Sequence, residues 1–306
     1  MIQIFQGQPI SLTVVTSIVC GVFVAALIFT LILVRTSKVL GLIDAPAEGK
    51  VHAVSTPRSG GVAIFLATSM GVLILAFLTG NGVPLNLFVS LGLVAAFVIG
   101  LVDDRRSLPP VIKLILIVLA ALVSVTQFDI TSLALQIAMI LLTVLITNAV
   151  NLLDGADGLA GGVMPLILVA LGIRLALSGE PGLTYVALVA ASAVTGFLVF
   201  NLRGRIFMGD CGSLFLGFFA SMLVAALAER GLREFAFGVV CVSVPLFDTA
   251  FVVSRRAWLR RPLFKGDLNH SYNVLERQTG SKPAVLSMFY GATLLSLLIA
   301  FLSFGG

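Results

Sequence analysis

Residues 132–162 read SLALQIAMILLTVLITNAVNLLDGADGLAGG, and the fold class turns on how this stretch divides. From 132 to 150 it carries no charged residue, and its length is close to the roughly 20 residues that an α-helix needs to cross a hydrocarbon core. Polar groups then crowd in. Asn148, Asn151, Asp154 and Asp157 follow one another at intervals of three, interleaved with Gly155 and Gly158. Neighbouring members of that set share a helix ridge, and the glycines let the backbone turn and approach a ligand closely. Small residues also serve close helix packing in membranes, but packing does not account for two Asn and two Asp. The stretch therefore reads as a spanning helix that ends in the polar rim of a site.

The same division repeats outward along the chain. Of 306 residues, 59% are hydrophobic and 11% charged, against roughly 25% charged in an ordinary soluble domain. About ten apolar runs can be marked, at 11–34, 60–79, 85–102, 111–127, 132–150, 160–178, 183–200, 212–228, 234–254 and 284–303. They predict an all-α, polytopic membrane helix bundle in one integral membrane domain over 1–306. The first run is expected to persist as a span, because residues 1–10 carry no Lys or Arg and the run is too long for a signal core. Orientation follows from the basic residues. All of the 19 Lys and Arg except Arg174, Arg230 and Arg233 fall in or beside 35–59, 103–113, 201–210 and 255–283. These segments are then cytoplasmic and the N-terminus is outside. The formal charge of +5 describes one membrane face, whose natural partners are anionic headgroups or phosphorylated substrates rather than nucleic acid. Cys20, Cys211 and Cys241 form no C-x-x-C pair and indicate neither a disulfide framework nor a thiolate metal site.

The acids lie on the same face. Asp44, Asp103, Asp104, Asp154, Asp157, Asp210 and Asp267 sit at or beyond cytoplasmic span ends, and Asp248 lies about two helical turns inside one. Acids near a membrane are costly and are usually retained for function, although a single interfacial Asp is more often solvated or a helix cap. Asp103-Asp104, after an apolar helix, suits a divalent cation or phosphate activation; a solvated turn with Asp104 paired to an Arg is the alternative. Asp210, in Phe207-Met208-Gly209-Asp210-Cys211-Gly212-Ser213, could cap the next helix or bind metal between its glycines. Asn201 and Phe207 offer an amide and an aromatic face to a base. In the loop from Asp44 to Gly61, Lys50 and His52 could contact a phosphate or a base. The last inner loop is basic, with Trp258 and Phe264 as apolar anchors and His270 near its end. Such a segment anchors to lipid or gathers anionic substrates.

Asp44-x-Pro46 with Lys50-x-His52 and Gly60-Gly61, then Asp103-Asp104, Asn151-x-x-Asp154-Gly155-x-Asp157-Gly158-Leu159, Phe207-Met208-Gly209-Asp210-x-Gly212-Ser213 and Pro245-x-x-Asp248-Thr249 together resemble the polyprenyl-phosphate N-acetylhexosamine-1-phosphate transferase family. The resemblance runs from about residue 40 to 273. It implies a bundle of ten or eleven helices with a cytoplasmic cleft in the bacterial inner membrane. It also implies transfer of an N-acetylhexosamine 1-phosphate, by default N-acetylglucosamine 1-phosphate, from a UDP-sugar to undecaprenyl phosphate. UMP leaves, and the lipid-linked product initiates an envelope glycan such as peptidoglycan, O-antigen or a teichoic acid linkage unit. By motif position, Asp103, Asp104, Asp210 and His270 are the implied catalytic residues, and Asp210 and Asp104 the ligands of Mg²⁺, for which Mn²⁺ could substitute. Lys50, His52, Asn151, Asp154, Asp157, Asn201, Phe207 and Asp248 are the implied substrate contacts. Implied partners are the UDP-N-acetyl amino sugar, polyprenyl phosphate and membrane lipids, and a helical face could support a homodimer. One motif departs: where the family carries His-x-His-His, this chain reads His270-Ser271-Tyr272-Asn273. The rival class is a secondary transporter, whose coupling acids lie near mid-membrane on broken helices; clustering at one interface argues against it.

Overall fold

The computed structural model describes residues 11–39, 41–44, 55–80, 85–260 and 270–304. Among these residues, twelve helices and one small ribbon form the fold. In chain order they are α1 (Leu12–Thr36), the strands β1 (Ile43–Asp44) and β2 (Thr56–Pro57), α2 (Gly60–Thr79), α3 (Leu87–Arg105), α4 (Pro110–Val125), α5 (Leu133–Leu153), α6 (Leu159–Leu177), α7 (Pro181–Asn201), α8 (Gly209–Ala228), α9 (Leu232–Cys241), α10 (Ser243–Trp258), α11 (Ser271–Thr279) and α12 (Lys282–Phe304). The strands pair antiparallel, Ile43 opposite Pro57.

Helix starts follow local chemistry. Ser11 and Asn86 accept from the backbone N–H groups of Val14 and Phe88 at the heads of α1 and α3. Pro110 and Pro181 open α4 and α7, positions where a missing N–H costs nothing. Eight helices are long and apolar enough to cross a membrane, so the chain is a multi-pass membrane protein. Two of the ten expected spans differ. The run at 111–127 forms α4, a helix of 16 residues. The run at 234–254 is not one helix: α9 and α10 meet at 67°. Pro245 is the reason. In a continuous helix its ring would strike the carbonyl of Cys241 and it has no N–H to offer, whereas in the first turn of a new helix neither matters.

The centre is α8. Every residue from Cys211 to Ala228 is buried, as befits a helix apolar on all sides. Helices α2, α3, α5, α6 and α9 pack around it. Bare Cα atoms bring its first turn close to its neighbours: a Cβ at Gly61 would collide with the Gly212 backbone, and one at Gly100 with the backbone of Asp210 and Cys211. Through Gly100 the end of α3, with Asp103 and Asp104, is drawn against the start of α8, with Asp210. The other end of the bundle is fastened by Arg174 to Glu234, by Arg230 to Glu180, and by the Asp129 N–H donating to Glu229 at 2.6 Å.

Candidate active site

Four carboxylates meet at one end of the bundle. Asp104 from α3, Asp154 and Asp157 from the turn after α5, and Asp210 from α8 line a cavity of about 200 Å³. Arg58, Asn201 and Phe207 share its walls, and the small residues Gly155, Ala156 and Gly209 leave its floor open.

Each acid is held differently. Asp104 caps α8 from a neighbouring helix, its two oxygens accepting the N–H groups of Asp210 at 2.9 Å and Cys211 at 3.0 Å. The cap that the sequence offered to Asp210 is thus taken by Asp104, and Asp210 itself lines the cavity. Lys113 of α4 then joins the acids, with its Nζ 2.8 Å from both Asp103 Oδ2 and Asp210 Oδ2. Asp103 also accepts the Leu108 N–H at 2.5 Å; it stands beside the cavity rather than on its wall. Sequence reasoning assigned Lys113 no role in the site. The signal was present as an ammonium in an otherwise apolar run, a few residues past an Asp pair.

The turn after α5 bears the other two acids. Burial pushes the Asp154 carboxyl well above the usual carboxylate range, and the charges of Asp210, Asp104 and Asp157 push it the same way against a hydrogen bond from the Gly209 backbone. Acids that raise one another's pKa are relieved by a cation. Among the described residues no group of three or more His, Cys, Asp or Glu is arranged to hold a metal ion by itself. Mg²⁺ does not require such a cage, since it is commonly held by one or two carboxylates together with substrate phosphates. The donor set fits that ion.

Other expected residues have structural partners. Asn201 is 2% exposed; its Oδ1 accepts the Gly158 N–H at 2.8 Å and its Nδ2 donates to the Ile206 carbonyl at 2.9 Å. It braces the wall rather than presenting its whole amide to a ligand. Asn151 ties α5 to α8 by donating to Ser213 Oγ at 2.9 Å. Phe207 is fixed by its own backbone, which donates to Pro57 and accepts from Gly60. Asp248 and His270 are brought to each other and not to the cavity wall. Asp248, 1% exposed, accepts from the N–H and hydroxyl of Ser271. His270 Nδ1 stands 3.7 Å from Asp248 Oδ2, beyond hydrogen-bond reach. Lys50, His52 and Asp267 lie outside the described residues, as do residues 45–54, which contain most of the first inner loop.

Comparison with known proteins gives the family. The sequence model described as "Glycosyl transferase family 4" matches residues 86–228, the stretch from α3 through α8 that carries all four cavity acids. A Bacillus subtilis (strain 168) protein named "Probable undecaprenyl-phosphate N-acetylglucosaminyl 1-phosphate transferase" is 31% identical over 267 residues, covering 81% of this chain and 74% of that protein. A Mycobacterium tuberculosis (strain ATCC 25618 / H37Rv) protein named "Decaprenyl-phosphate N-acetylglucosaminephosphotransferase" is 30% identical over 304 residues, covering 82% and 73%. A Thermotoga maritima "Undecaprenyl-phosphate alpha-N-acetylglucosaminyl 1-phosphate transferase" is 26% identical, covering 86% and 82%.

Proposed function

Since the chain belongs to the polyprenyl-phosphate N-acetylhexosamine-1-phosphate transferases of glycosyl transferase family 4, we propose that it moves an N-acetylhexosamine 1-phosphate from a UDP-sugar onto polyprenyl phosphate, with UMP as the other product. The observation that carries this reading is the convergence of Asp104, Asp154, Asp157 and Asp210 on one cavity beside Phe207. A nucleotide diphosphate cannot enter so acidic a cavity alone, but it can enter as a metal complex. Asp210, with Asp104 or Asp154, would hold Mg²⁺, which would supply charge neutralisation of the diphosphate. N-acetylglucosamine is the sugar that the relatives' names favour.

The acceptor phosphate has a second pKa near 6 and is largely a dianion at neutral pH. It needs positioning more than a base. One of its oxygens forms the new bond to the β-phosphorus, the bond from that phosphorus to the bridging oxygen breaks, and the electron pair leaves with UMP. Lys113 and Asp103, beside the cavity, are suited to orient the incoming phosphate, while Asp157, Phe207 and the Asn201-braced wall grip the nucleotide. The site end faces the cytoplasm of a bacterial inner membrane, where nucleotide sugars are made.

The test is release of UMP by the full chain in detergent with Mg²⁺ and UDP-N-acetylglucosamine. Release should require polyprenyl phosphate and disappear in Asp210→Asn. Release without acceptor, or full turnover in Asp210→Asn, would refute the proposed reaction or the role of its central acid. No release with any UDP-N-acetyl amino sugar would refute the proposed donor.

A further inference from the structure

The turn 154–158 supplies two of the four cavity acids, yet it is held from behind by the C-terminal helices, which lie outside the family match at 86–228. At the head of α12, Lys282 Nζ lies 2.6 Å from Asp157 Oδ2. Two turns further on, the Tyr290 hydroxyl donates to the Gly158 carbonyl at 2.6 Å. Because Asn201 accepts the N–H of the same residue, both polar groups of the Gly158 backbone are taken, the carbonyl accepting the Gly162 N–H as well. In the first turn of α11, Tyr272 is 5% exposed and stacks on His270 with ring centroids 5.3 Å apart. Its hydroxyl abuts Gly155 so closely that a Cβ there would collide with it. None of the three residues lines the cavity.

We propose that α11 and α12 form the back wall of the nucleotide pocket, with Lys282, Tyr290 and Tyr272 as positioning residues that set its affinity by fixing the turn 154–158. The inference rests on the reading of this cavity as the UDP-sugar site. The contacts are placed for function rather than for stability. Lys282 is 40% exposed, and an ion pair so open to solvent contributes little to folding. What it does fix is the carboxylate of Asp157. The Tyr290 hydroxyl similarly fixes one peptide while its ring packs whether or not the oxygen is present. Tyr272 occupies the third position of the departed His-x-His-His run. Here that position carries a wedge against Gly155, and through the ring stack it links His270 to the turn.

The experiment measures binding of UMP, the product common to every UDP-sugar donor, to the full chain in detergent with Mg²⁺, alongside thermal unfolding. Lys282→Met and Tyr290→Phe should each weaken UMP binding by roughly three- to tenfold, the scale of one lost hydrogen-bonded contact, and Tyr272→Phe should weaken it by removing the hydroxyl that abuts Gly155. Unfolding temperatures should stay near the wild-type value, Lys282→Arg should restore binding, and the acceptor KM should not move. Variants that bind UMP as tightly as the wild type overturn the inference alone. A loss of affinity that tracks a loss of thermal stability in every variant, Lys282→Arg included, overturns it by reducing the contacts to scaffolding. A wild-type protein that does not bind UMP overturns the nucleotide reading, and this inference with it.

Discussion

Asp104 shows how much one carboxylate can be asked to do. It accepts two backbone N–H groups at the head of α8, where the helix dipole favours a negative charge, and it lines the cavity with Asp210. In Asp104→Asn one oxygen still accepts an N–H, but the amide NH₂ turns a donor toward the other. An unsatisfied buried donor costs about 1–3 kcal/mol. Asp104→Asn should therefore lower the unfolding temperature in detergent by several degrees as well as stop turnover, whereas Asp210→Asn should stop turnover with a smaller thermal effect. Equal unfolding temperatures in the wild type and Asp104→Asn would remove the capping role. Nothing in the local sequence reveals that role, because caps are read from the residues just before a helix and this one arrives from 106 positions away. The same distance in sequence hid Lys113, which reaches Asp210 across 97 positions. By contrast, the acids themselves were legible one by one, since each interrupts an apolar run.

Helix by helix, eight of the ten expected spans were legible because a bilayer imposes length and apolarity on each. The 67° break between α9 and α10 was not, since Pro245 sits inside an apolar run and only the packing shows whether a helix bends or restarts there. Contacts between helices are likewise invisible until two glycines are seen to face backbones. Gly100 is one such case: any Cβ there meets the main chain of α8, which cannot yield as a flexible side chain would. Gly100→Ala should force α3 from α8, an overpacking cost of about 1–3 kcal/mol, and it should cut UMP release by about tenfold or more because Asp103 and Asp104 move with α3. Gly291 in α12 meets nothing within 4 Å, so Gly291→Ala should leave release unchanged and stability equal or slightly higher. Comparable losses in the two variants would mean that the close approach of α3 to α8 is not what assembles the acids.

The whole molecule separates its charges by end. Acids and bases crowd the end that holds the cavity, and they meet there, as Lys113 does with Asp103 and Asp210. At the opposite end the sequence offers three basic residues, Arg174, Arg230 and Arg233. Two of them are neutralised within the fold: Arg174 pairs with Glu234 while its guanidinium lies over the Phe237 ring, and Arg230 pairs with Glu180. The bias that orients membrane proteins counts basic residues rather than net charge, so these pairings leave the contrast between the ends as the sequence has it. The cavity end should accordingly face the cytoplasm, as a nucleotide-sugar donor requires. Labelling by a membrane-impermeant maleimide checks this in a background with Cys20 replaced, since Cys211 and Cys241 are buried. Arg233→Cys should label in intact cells, and Arg106→Cys, just past the Asp pair, should label only after the membrane is opened. Labelling of Arg106→Cys from outside would set the cavity against the cellular source of UDP-sugars, and the proposed reaction would fail with the orientation.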